Sequence, residues 1–341
     1  MNIGRHRHSH IRCFLTVGLS ALVMMSCASD QKQSLHRASR LLMGTLVEIT
    51  VVGEGEKAKA TAEAIFGEIK RVEALTSFHS PSELMRVNDN AGKGPLKTDP
   101  ELLELIAESL RIAQGTHGAF DPTVGPLSRL WQFSGSNEPR IPEESEIREA
   151  LTKVGWNRIK IDSAAGTILL PEQGMALDLG GIAKGYTLNN VARIIEKLGA
   201  SGALVNIGGD ILALGEKVPG KPWRVGVEDP RNPRGIVAVT LLKDRVIVTS
   251  GDYERYFIKD GKRYHHILDP VTGYPADKLQ SATIVGPVGV TLQPLGTAAF
   301  VMGVERGLKL VESITGAKGF LIDSEGNYHL THGARTVFEV K

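Results

Sequence analysis

Cysteine is all but absent. The chain of 341 residues holds only Cys13 and Cys27. Past residue 27 no thiol exists to form a disulfide, act as a nucleophile or hold a soft metal. Aromatic residues are few as well, at 5% against 42% hydrophobic. No excess of one charge exists: 40 Lys and Arg face 38 Asp and Glu, a net +2. Charge therefore gives no basic field for nucleic acid or anionic lipid. Neither HExxH nor a paired His/Cys spacing occurs, which argues against zinc. The GxSxG elbow, the GxxxxGK[ST] loop and the GxGxxG fingerprint are missing too. Repeats, low-complexity tracts and Pro/Ser-rich linkers are lacking, so the chain beyond its N-terminus reads as one unit large enough for a sizeable core.

What is present begins with a targeting pattern. Arg5, Arg7 and Arg12 form a basic start, and residues 14–26 are apolar but too few to span a bilayer as a helix. Ser26-Cys27 and then Ala28-Ser29-Asp30 follow. The segment resembles a bacterial lipoprotein signal over residues 1–27, with Cys27 lipidated; plain signal cleavage is the alternative. Residues 28–38 are expected to be a tether, and residues 39–341 the functional domain.

Periodicity supplies the coarse elements. Residues 46–52 read as a strand. Ala58, Ala62, Ile65, Ile69 and Val72 recur at helical spacing. Thr98-Asp99-Pro100-Glu101 is a helix start, and that helix should stop near Gly115. Residues 134–144 read as a surface loop, and residues 159–161 with 167–170 as a hairpin. Leu188, Val191, Ile195 and Leu198 mark a helix ending at Gly199. Strand patterns follow at 203–205, 211–214, 223–227, 237–242 and 245–249, then a helix over 304–314 and two short strands. Strands gather after residue 200, which predicts an α+β fold with mixed or antiparallel sheets and flanking helices, not a βαβ alternation.

The chemistry concentrates in a few segments. Asp178-Leu179-Gly180-Gly181-Ile182-Ala183-Lys184-Gly185-Tyr186 lies between an apolar run and a helix. Its glycines allow a ligand close to backbone amides, the helix start favours negative charge, and Lys184 adds a cation. A phosphorylated ligand fits that set; a plain Gly-rich turn is the competing reading. Further segments are Leu42-Met43-Gly44-Thr45, residues 78–88, residues 118–127, and residues 249–256 followed by Tyr264-His265-His266-Ile267-Leu268-Asp269-Pro270. Asp121 and Thr123 could equally be turn caps. Adjacent histidines near Asp269 offer a base with an orienting partner, and strand alternation lets only one of them face a given pocket.

Taken in order, LMGT, AFDPTVGPL, DLGGIAKGY, VNIGGD, TSGDYERYF and YHHILDPVTGYPA resemble the ApbE family, the FAD:protein FMN transferases, across residues 40–300. The resemblance implies an ApbE-like fold, FAD as substrate, a magnesium requirement, and transfer of FMN to a Ser or Thr hydroxyl of a partner protein with release of AMP. It assigns FAD contacts to Met43, Phe78, Ala119, Phe120, Asp121, Asp178, Lys184 and Ile267. It assigns the metal to the Gly181 carbonyl, position 293 and Thr297. His266, with His265 as competitor, and Lys184 are the implied catalytic pair. Gln293 departs from the family, which carries Asp there, so one negative charge is missing from the implied metal site. Two other activities use the same parts: hydrolysis of FAD to FMN and AMP, or flavin binding without turnover. The implied setting is the periplasmic side of the envelope, anchored through lipid on Cys27, with an envelope redox subunit as acceptor and no nucleic acid.

Overall fold

The structure is a computed structural model that describes residues 34–133 and 140–341; the signal segment, Cys27 and residues 134–139 of the expected loop lie outside the described residues. β1 (Leu35–Leu42) pairs antiparallel with β2 (Thr45–Val52) along its whole length, from Leu35↔Val52 to Leu42↔Thr45, around the Met43-Gly44 turn. This corrects the expected tether over 28–38, because residues 35–38 belong to the sheet. β1 is an edge strand, so His36, Arg37, Ser39 and Arg40 can face solvent while the backbone ladder holds it. Its pattern is therefore polar.

Next in the chain come α1 (Gly55–Thr76), α2 (Glu83–Asp89), β3 (Leu96–Lys97), α3 (Pro100–Gly115), α4 (Gly125–Trp131) and α5 (Glu144–Leu151). β4 (Lys160–Asp162) and β5 (Thr167–Leu169) form the expected hairpin, and α6 (Gly180–Leu198) follows. β6 (Gly202–Ile207), β7 (Asp210–Gly215), β8 (Trp223–Asp229), β9 (Asn232–Leu242) and β10 (Arg245–Gly251) match the predicted run of strands. β11 (Tyr256–Lys259), β12 (Lys262–His265), β13 (Leu279–Pro287), α7 (Gln293–Met302), α8 (Val304–Glu312), β14 (Lys318–Asp323), β15 (Tyr328–Leu330) and β16 (Phe338–Val340) complete it. Three short strands thus follow α8, where two were expected.

The main sheet has eight strands in the order β1-β2-β6-β7-β10-β13-β14-β15, and every neighbouring pair is antiparallel. Strand alternation decides its two faces. Val47, Ile49, Val205, Val246, Val248 and Leu321 pack beneath α1, α6, α7 and α8, meeting Phe66, Val191 and Phe300. Val52, Ile247, Phe320 and Ile322 point the other way, onto Trp223, Val225 and Phe338 of a second sheet, β16-β9-β8. A separate cluster joins α2, α3 and the β3-β5-β4 sheet to Phe120, Leu179 and Ile182.

Local signals fix the boundaries that matter for the site. Asp99 caps α3 by accepting from the amides of Glu101 (2.8 Å) and Leu102 (3.3 Å), with Pro100 in the first turn. Gly199 ends α6 in the left-handed region, at φ 64°. The start of α6, the β1–β2 turn and the β6–β7 turn thereby meet at one end of the main sheet.

Candidate functional site

The first turns of α6 organise the site. Asp178 holds their entry: its amide donates to Pro122 O at 2.8 Å, Oδ1 accepts from Gly180 N at 2.9 Å, and Oδ2 accepts from Ser128 Oγ at 2.8 Å. Two later positions need glycine for close approach. A Cβ at Gly181 would lie 3.1 Å from the Phe120 ring and 3.7 Å from Thr297 Oγ1. A Cβ at Gly185 would lie 3.0 Å from Gln293 Cβ.

Lys184 reaches from α6 into the β6–β7 turn. Its Nζ lies 3.0 Å from Asp210 Oδ2 and donates to the carbonyls of Gly208 (3.2 Å) and Ile207 (3.4 Å). Asp210 is 2% exposed, and its Oδ1 accepts from Thr249 N at 3.3 Å. Burial raises the Asp210 carboxyl above its ordinary range, against the pull of Lys184. The turn is locked from above by Thr45, whose Oγ1 occupies the place of a Gly208 Cβ (2.4 Å); Gly208 has φ 55°. Beside Thr45, Met43 stands at φ 52°, its amide donating to Glu73 Oε1 at 2.7 Å and its Sδ 3.8 Å from Thr187 Oγ1 on α6.

The two histidines differ sharply. His265 is 4% exposed and both ring nitrogens are engaged. Nε2 lies 2.7 Å from the Ala276 carbonyl, and Nδ1 accepts from Ile267 N at 3.3 Å. Those partners demand the neutral Nε2–H tautomer. His266 Nδ1 is buried without a hydrogen-bond partner. Burial first, then the positive charges of Arg255 and Lys184, hold the His266 imidazole well below its usual range, so it is neutral at pH 7. Its position follows from aromatic stacking: Tyr264 stacks on Trp131 (5.8 Å) and Phe257 (5.3 Å), which seats the β11–β12 hairpin. Asp269 orients neither histidine. Oδ1 accepts from Val271 N at 2.8 Å, so it caps the turn that leads to Tyr274. Residues 269–274 are turn-forming, and such turns attract Asp for that hydrogen bond.

Lys184, Asp210, His266 and Glu254 form one electrostatic group. The Lys184 charge acts on the other three, and burial raises the Glu254 carboxyl. Asp210 and Glu254 were not singled out in the sequence. Their signal was the pair of motifs VNIGGD and TSGDYERYF, each of which carries an acid shortly after a glycine.

Other sequence candidates distribute unevenly. Met43, Phe120, Gly181, Lys184, Gln293 and Thr297 all touch the first two turns of α6 or a residue on them. Ala119 packs between the two large core clusters. Ile267, 5% exposed, adjoins His266. Phe78 lies under the Arg129 guanidinium, which is 5.2 Å from its ring; Arg129 is next along α4 to the Ser128 that donates to Asp178. Asp121 is turned inward: Oδ1 accepts from Thr123 N (2.7 Å) and Thr123 Oγ1 (2.6 Å), and Oδ2 from Trp156 N (3.2 Å). It has the turn-capping role weighed from the sequence.

The implied metal donors do not make a divalent site. Gln293 is 7% exposed; its Oε1 accepts from Gly185 N at 3.0 Å and its Nε2 donates to Gly180 O at 2.9 Å. Thr297 Oγ1 donates to Gln293 O at 3.4 Å. Both Asp178 oxygens are already engaged. The set is neutral, and among the described residues no cluster of three His, Cys, Asp or Glu could hold an ion. Gln293 is thus placed as a cross-brace between α7 and α6, whereas the sequence had placed it on the metal.

Known proteins share this architecture. A curated FAD:protein FMN transferase of Treponema pallidum is 33% identical over 315 residues, 87% of each chain. One of Haemophilus influenzae is 33% identical over 329 residues, 92% of this chain and 94% of its own. The ApbE protein of Thermotoga maritima superposes with a TM-score of 0.82 at 36% identity, covering 89% of this chain and 99% of that one. The flavin transferase ApbE of Vibrio cholerae gives 0.80 at 28% identity, with the same coverages. Residues 43–321 match the ApbE family profile, and the chain belongs to the ApbE family.

Proposed function

We propose that this chain is an FAD:protein FMN transferase. It moves the FMN half of FAD onto a Ser or Thr hydroxyl of a partner protein and releases AMP. The observation that carries the reading is the neutral, unpartnered Nδ1 of His266 within the field of the Lys184–Asp210 pair at the start of α6. The names of the relatives support the same chemistry.

In the reaction the hydroxyl oxygen bonds to the FMN phosphorus. The phosphorus–oxygen bond to the AMP half breaks, and AMP leaves with the electron pair. His266 receives the hydroxyl proton, which a neutral imidazole can do at pH 7. Lys184 holds the Gly208–Gly209 turn and supplies positive charge, and the amides opening α6 supply fixed dipoles toward phosphate. Removing one such electrostatic donor typically lowers turnover by roughly 10²–10³. Magnesium enters no step, because the chain's own donors do not assemble a site for it.

The setting belongs to the same proposal: export on the basic, apolar N-terminal segment, lipid on Cys27, and an acceptor among envelope redox subunits. The resemblance of residues 1–27 to a lipoprotein signal supports it. Incubating the protein with FAD and such a subunit, then denaturing electrophoresis, tests the activity. A fluorescent flavin band on the acceptor is expected. Free FMN with AMP would mean hydrolysis, and unchanged FAD would mean binding alone. Mass measurement of the processed chain tests the lipid, and Cys27→Ser should abolish it.

A further inference from the structure

The Gln293 side chain faces a donor on one side and an acceptor on the other. Gly185 N–H points at Oε1 (3.0 Å) and the Gly180 carbonyl receives Nε2–H (2.9 Å). Only one amide orientation satisfies both, so the network itself fixes which end is nitrogen. A carboxylate at this position would set an anionic oxygen against the Gly180 carbonyl. Two acceptors in a buried space repel and require a cation between them. The amide removes that requirement, since its N–H supplies the positive end. The neighbouring Gly181 and Thr297 add only neutral oxygens, and a Cβ on Gly185 would press on Gln293 at 3.0 Å.

We infer that Gln293 is a positioning residue that replaces a resident cation: its amide fastens the N-terminus of α7 to the first turns of α6, and the ligand-free protein holds no divalent ion there. The inference goes beyond the transferase reading and does not rest on it, because its test involves no turnover.

Mn²⁺ alone is titrated into the full chain and followed by its paramagnetic signal, for wild type, Gln293→Glu and Gln293→Asp. Thermal melts of each are taken with EDTA and with Mg²⁺. Wild type should show no Mn²⁺ binding at this site and the same melting point in both solutions. At least one acidic variant should bind Mn²⁺ about tenfold or more tightly than wild type, since one negative charge is added beside the ion. That variant should melt lower in EDTA and recover with Mg²⁺. Gln293→Leu loses both hydrogen bonds and should be destabilised without recovery, which separates a cation-replacing brace from ordinary packing. An acidic variant that folds only with Mg²⁺ also supports the inference. Wild type that binds Mn²⁺ as tightly as the acidic variants, or that melts lower in EDTA, overturns it. So does the absence of any metal response in both acidic variants.

Discussion

Lys184 Nζ lies 3.0 Å from Oδ2 of Asp210, a carboxylate that is almost fully enclosed. The pair joins α6 to the β6–β7 turn, so it couples the helix start to the end of the sheet that carries Gly208. Leaving a buried charge without its partner is costly. Lys184→Met should lower unfolding free energy by about 2–3 kcal/mol, somewhat less than for a fully buried pair because the Lys184 side chain is 22% exposed. Adding Asp210→Asn should recover most of that loss. Denaturant melts of the single and double variants check this; equal stability of Lys184→Met and wild type would show the pair is not holding the turn.

Gly208 gives an independent test of the same corner. It has φ 55° and its missing Cβ space is filled by Thr45 Oγ1. Gly208→Ala combines a left-handed alanine, about 1 kcal/mol, with overpacking of about 1–3 kcal/mol. The expected loss is about 2–4 kcal/mol, with part regained in Gly208→Ala/Thr45→Ser. A Gly208→Ala protein as stable as wild type would mean Thr45 does not seat there.

His265 and His266 should separate by what they disturb. His265→Gln breaks the bridge from Ile267 N to the Ala276 carbonyl, and melting should fall. His266→Gln removes a ring whose Nδ1 has no partner, so melting should barely change. Turnover should drop about 10²–10⁴-fold, the scale of a lost general base, while FAD affinity persists. The reverse assignment of the two effects would move the catalytic role to His265.

Stability should also carry the histidines' mark in its pH dependence. Burial lowers both imidazoles in the folded chain. Their contribution is therefore complete above about pH 6.5 and is lost as pH falls toward the folded values, by at most about 1.4 kcal/mol per pH unit for each. Buried Asp121, Asp210 and Glu254 are shifted upward and act with the opposite sign. Subtracting the profile of a His→Gln variant from wild type cancels those carboxyls. The difference should grow below pH 6.5 in melts from pH 8 to 5; a flat difference would mean the rings are protonated as readily when folded.

Much of this was legible beforehand because it rests on local rules. The spacing of Ala58, Ile65 and Ile69, the Asp99 cap and Gly199 placed α1, α3 and α6. Alternation placed β6 to β10. β1 was missed since an edge strand needs no apolar face. The sequence reading assigns nothing to residues 145–151, where α5 forms with a Glu143–Glu146 capping box. The site was legible as motifs, and Lys184, Phe120 and Met43 do meet at α6. What the motifs could not show is which polar atoms are already engaged. Asp121 faces Thr123, Asp269 caps its own turn, and Gln293 braces two helices. Each of those depends on partners brought close only by the fold.

Transfer of FMN to protein is the central claim, and intact-mass measurement reads it directly. The protein is incubated with FAD and an envelope redox subunit, and AMP is quantified alongside. The account predicts an acceptor heavier by one FMN, AMP in equal amount, and loss of both when the acceptor Ser or Thr is replaced by Ala. An acceptor of unchanged mass, with FMN and AMP appearing free or FAD remaining intact, would contradict it.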